Sequence, residues 1–76
     1  DEVMSVDNGS LTSVIEKLQN IYEVDIIFDP AFTDSIMLKG NMEIDADIMQ
    51  VLRRLETITP INVSQTGDTI CITPAA

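Results

Sequence analysis

The single thiol of the chain, Cys71, lies in the alternating run Thr69-Ile70-Cys71-Ile72-Thr73, and the sequence holds no histidine to take its proton. Cysteine attack needs a thiolate, and thiolates form beside a histidine or another cation. Cys71 therefore reads as a small buried hydrophobe or as a free thiol on the opposite strand face, not as a nucleophile. The missing histidine also removes Ser–His–Asp chemistry. Thirteen Asp and Glu residues could in principle supply the paired carboxylates of a glycosidase. They fall at turns, helix starts and polar helix faces, where solvation explains them. Asp45-Ala46-Asp47 runs into an apolar helix, so it is a cap and not a calcium loop. No Cys/His set for zinc and no glycine-rich phosphate cradle is present. The expectation is a domain with no cofactor, no metal and no catalytic group.

One further chemical possibility is a carrier protein, which is also short and acidic with a modified serine at a helix start. Gly9-Ser10-Leu11 has the serine and the leucine but lacks the preceding aspartate. Carriers are all-helical, whereas this chain closes in a hairpin.

The elements that would position any such group follow from apolar spacing. Leu11, Val14, Ile15, Leu18, Ile21 and Tyr22 form one helical face, with Ser10 as N-cap and an expected span of Leu11–Glu23. Ile48, Val51, Leu52, Leu55 and Ile58 repeat that spacing behind Asp45 or Asp47, and Pro60 ends the second helix. The two helices match at an offset of 37 residues, and the match continues from Val24 and Ile26 to Ile61 and Val63. Upstream, Met4-Ser5-Val6 parallels Met42-Glu43-Ile44 with one residue of gap. Strands are expected over Val3–Asp7, Val24–Phe28, Ser35–Ile44, Ile61–Gln65 and Thr69–Thr73. Gly40 inside the third suggests a bulge or a close backbone approach. Asp29-Pro30 reads as a turn, and Thr66-Gly67-Asp68 as a hairpin turn. The fold class is α+β: a duplicated β-α-β unit in the order β-α-β-β-α-β-β, with two helices packed on one or more small sheets. One domain over 1–76 is expected, with repeats at about 3–28 and 36–65 and a closing strand at 69–73.

Composition bounds the partners. Four bases against thirteen acids give a net charge of -9, which repels nucleic acid and anionic membrane surfaces. With no Trp, one Tyr and two Phe, the core must be aliphatic. The chain begins at Asp1 without an initiator Met and reads as a piece of a longer protein. It carries no signal peptide and no membrane-spanning run.

The string Ser10-Leu11-x-x-Val14-Ile15-x-x-Leu18, then Ile21-Tyr22-x-Val24-x-Ile26 and Asp29-Pro30, resembles the C-terminal domain of FecR-type anti-sigma factors. So do Leu38-Lys39-Gly40-Asn41-Met42, Ile48-x-x-Val51-Leu52-x-x-Leu55, Ile61-Asn62-Val63 and Gly67-Asp68-Thr69-Ile70-x-Ile72. The same fold is shared with the short N-terminal (STN) domain of secretins and TonB-dependent receptors, which leaves an STN-type signalling domain as the alternative. Tyr22 and Gly40 favour the anti-sigma side, in the style of the Bacteroidetes branch. The resemblance implies a periplasmic domain of an inner-membrane-anchored protein. Its partner would be the signalling domain of a TonB-dependent outer-membrane receptor, and the sigma factor would be held only by the parent's cytoplasmic part. The membrane would be reached only through the parent's anchor, and the end two residues after Pro74 is consistent with a C-terminal domain.

Three residues are candidates for partner docking: Tyr22, Arg53 and Arg54. The simpler readings are a core-edge tyrosine and a solvated helix face. Edge strands of so small a sheet permit self-association without requiring it, so the oligomeric state stays open.

Overall fold

A computed structural model describes residues 2–5 (main chain only), 9–44 and 47–75. Each expected helix forms where its stripe and cap coincide. α1 spans Leu11–Tyr22, and the Ser10 hydroxyl accepts the Ser13 N–H at its start. Leu11, Val14, Ile15 and Leu18 are fully buried along its inner face. α1 ends because Glu23 turns left-handed, at φ 54°, a conformation that helix ends usually give to glycine. The later helix, which follows a short one described below, starts at Asp47, whose Oδ1 accepts the Met49 N–H at 3.0 Å. Asp45, the alternative cap, lies outside the described residues. This helix covers Ile48–Ile58 and stops at Thr59, whose N–H and hydroxyl both donate to the Leu55 carbonyl, with Pro60 next in the chain.

Strand β1, Glu2–Ser5, covers part of the expected Val3–Asp7, whose last two residues lie outside the described ones. Gly9–Ser10 forms a two-residue strand, β2, and Asp25–Ile27 forms β3. The Asp29-Pro30 turn proves to be the start of a short helix, α2, over Pro30–Thr33. Asp29 caps it, its Oδ1 accepting the Ala31 N–H, and Pro30 sits at the first helical position, where its missing N–H costs nothing.

The strand expected over Ser35–Ile44 is two strands, β4 at Met37–Leu38 and β5 at Asn41–Ile44, that join different sheets. β4 pairs with β2 and β5 pairs with β1, both antiparallel. Gly40 stands at the break with φ +89°. It is neither a bulge nor a close approach: a Cβ there would meet nothing within 4 Å. What requires glycine is the backbone angle that lets the chain leave one sheet for the other.

The helix Ile48–Ile58 is α3. After it come β6, Ile61–Thr66, and β7, Thr69–Pro74, joined through Gly67 at φ +59°. β7 lies between β3, parallel to it, and β6, antiparallel to it. The fold is thus α+β, with two long helices on small sheets and a short third helix.

Equivalent positions share environments. Val14 and Val51, Ile15 and Leu52, and Leu18 and Leu55 are all buried at the 37-residue offset. Ile21 and Ile58 are both exposed, at 46% and 67%, so each apolar stripe has one member near its C-terminal end that the core does not cover. Met4 and Met42 are direct partners in the β1–β5 register, the pairing a local twofold would give. Between helices and sheet, Ile26, Ile61, Val63, Ile70 and Ile72 complete an aliphatic core, with Tyr22, Phe28 and Phe32 at its margin.

Candidate interaction surfaces

Arg53 and Glu56 stand one turn apart on the outer side of α3, and both reach the strand that follows. Glu56 Oε2 accepts the Val63 N–H at 2.7 Å, and Arg53 Nη1 donates to the Val63 carbonyl at 3.2 Å. The two side chains are joined at 2.8 Å between Arg53 Nη1 and Glu56 Oε1. The Arg53 hydrogen bond and the Val63 N–H hold the Glu56 carboxyl below its ordinary value, since both favour its charged form. β6 is an outer strand of the three-stranded sheet. The ion pair therefore occupies both main-chain groups of one residue on an open edge. Arg53, expected as a docking residue, makes these contacts within the domain while its side chain stays 54% exposed.

Arg54 extends the other way, its Nη1 at 3.4 Å from the Glu43 carbonyl, and so links α3 to β5. Tyr22 closes α1, half-buried against the core. The structure thus separates the three candidates: Arg53 and Arg54 share α3 but reach toward different strands, and Tyr22 belongs to α1.

Two surfaces lay outside sequence reasoning. The first is a groove of about 410 Å³ between the end of α1, the start of α3 and the β6–β7 hairpin. It is lined by the apolar Val24, Ile48 and Ile70 and by the polar Glu23, Asp25, Asp68 and Gln65. These carboxylates are the surface charge expected anywhere on a chain of net charge -9. Among the described residues, no group of three or more His, Cys, Asp or Glu side chains is placed to hold a metal. The second surface is the outer sheet face at β3, where Ile27 is 58% exposed beside its register partner Cys71. Cys71 is half-buried, and its neighbours Ile70 and Ile72 are the strand's buried residues, so the thiol is on the face away from the core. Alternation could have exposed this face in the sequence, but only once the buried face of β7 was known.

Ser10 uses its hydroxyl as the α1 cap. No helix among the described residues is long and apolar enough to cross a membrane.

Residues 3–72 match the protein-family model described as FecR, C-terminal. No curated protein matches the chain. Among solved structures, the chain is similar to a crystal structure of a protein from Parabacteroides distasonis ATCC 8503, described as a candidate anti-sigma factor. The TM-score is 0.80 at 19% identity, and the match covers 97% of this chain and 34% of that one. At that identity the likeness concerns the fold, and the chain spans about a third of the other protein's length.

Proposed function

The chain belongs to the FecR C-terminal family, and from that membership we propose that it is the periplasmic, signal-receiving domain of an anti-sigma factor. It binds the signalling domain of a TonB-dependent outer-membrane receptor and carries out no catalysis of its own. The parent protein anchors it to the inner membrane and holds the sigma factor on the other side. The observation that carries this reading is the family match over residues 3–72.

The geometry supports docking at one sheet edge. With the β6 edge occupied at Val63, strand addition at this sheet falls to β3, which has no strand on its outer side among the described residues. Ile27 lies on β3, and Ile21 and Tyr22 lie just before it at the end of α1, giving the edge apolar and aromatic flanks. Titration of this domain with the purified signalling domain of its cognate receptor tests the proposal. Saturable binding is expected, with Ile27→Asp weakening it at least about tenfold, or 1.4 kcal/mol. No binding by the folded wild-type domain at high concentration would sink it.

A further inference from the structure

An open sheet offers two outer strands, and their outward N–H and C=O groups pair with any strand that reaches them. Along β6 those groups are taken in succession. The Ile61 N–H turns back to the Thr59 carbonyl at 2.9 Å. Val63 gives its N–H to Glu56 Oε2 at 2.7 Å and accepts from Arg53 Nη1 at 3.2 Å. Hydrogen-bonding sides alternate along an antiparallel strand, so Gln65 presents its main-chain groups on the same side as Val63.

We propose that the Arg53–Glu56 pair is a guard on the β6 edge, which denies that edge to β6 of a second copy of this chain. The occupant follows from self-complementarity. Val63 and Gln65 together offer two N–H and two C=O groups, and an antiparallel β6–β6 contact matches each set to its own copy about a twofold axis. The net charge of -9 opposes the same contact from a distance, so the guard and the charge act in one direction. Stability alone is a weak reason for the pair. Arg53 is 54% exposed and Glu56 23%, and ion pairs this open add little to folding. Their shared target, both polar groups of one edge residue, is what an edge guard requires. This inference concerns β6 and is independent of which protein docks at β3.

The test is the oligomeric state of the R53A/E56A variant at neutral pH, by sedimentation across a concentration series. The wild type is expected to stay monomeric and the variant to dimerise, with self-association at least about tenfold tighter. Adding Q65P should return the variant to monomer, because the Gln65 N–H faces outward and proline there breaks no bond to β7. Circular dichroism checks that each variant is folded. Should R53A/E56A not fold, R53M/E56M keeps the side-chain stems without their polar ends and serves the same comparison. A folded guardless variant that remains monomeric, or an assembly that Q65P leaves intact, would overturn the proposal. So would a wild type already dimeric through β6.

Discussion

The hydroxyl of Thr33, fully buried in α2, is hydrogen-bonded to the hydroxyl of Thr12 on α1. Thr33 also donates to the Asp29 carbonyl at 3.3 Å, so its single proton is engaged and Thr12 supplies the proton between the two hydroxyls. This contact ties the short helix to the long one. Thr33→Val keeps the shape but removes the partner of the Thr12 hydroxyl, while the Asp29 carbonyl keeps the Phe32 and Thr33 N–H groups. The expected loss is about 1–2 kcal/mol, read as a lower urea midpoint at unchanged slope. A neutral result would mean that packing alone holds α2.

Leu18 and Leu55 occupy matching places on α1 and α3, and neither has any exposed surface. Truncating either to alanine should cost about 2–5 kcal/mol, against a total of roughly 4–11 kcal/mol for a chain of this size. The two losses should be similar. Ile58→Ala, at the overhanging end of the stripe, should cost under about 0.5 kcal/mol. Chemical denaturation of the three variants checks the ranking, and a costly Ile58→Ala would contradict the exposure described for it.

Backbone angles give predictions of opposite sign. Gly40→Ala places a side chain at φ +89° and should destabilise by about 1–2 kcal/mol although nothing crowds the site. Glu23→Gly relieves a left-handed residue at the end of α1 and should stabilise by up to about 1 kcal/mol. Thermal melts separate the cases. A Gly40→Ala variant as stable as the wild type would show that the chain can change sheets without glycine.

Glu56 predicts a pH dependence. Its carboxyl is held below the ordinary value of 4.5, first by the Arg53 hydrogen bond. A group lowered on folding binds fewer protons in the folded state than in the unfolded one. Its stabilisation is fully present above 4.5 and is lost as pH falls through the folded-state value. The stability gap between wild type and Glu56→Gln should thus narrow below that point. Denaturant titrations from pH 7 downward measure the gap, and one of constant size would remove Glu56 from the acid response.

Both long helices were legible because periodic stripes and side-chain caps are local signals, and Ser10 and Asp47 do cap them. The stripes overreached by one residue each, at Ile21 and Ile58, because spacing marks a face without saying where the sheet beneath it ends. The Ser35–Ile44 strand was read as continuous because Gly40 carries no sign of which partner each side will find. β2 and β4 are too short to leave a pattern. α2 had a signature in Asp29-Pro30, an N-cap followed by proline at the first helical position, which a turn shares. Of the docking candidates, Tyr22 is at the core edge as its apolar spacing suggested. The reach of Arg53 and Glu56 to Val63 could not be read, because i,i+3 charges on a polar face look alike whether they meet water or a neighbouring strand.

β7 is the last element in chain order and the middle strand of its sheet. Asp25 on β3 must wait for Thr69, 44 positions later (69 - 25), to gain its neighbour. β6 waits for the same strand. A nascent chain can therefore coil its helices early, but β3 and β6 stay unjoined until β7 emerges and pairs with both. Such long-range closure slows folding, and it makes the arrival of β7 the event that locks this domain shut.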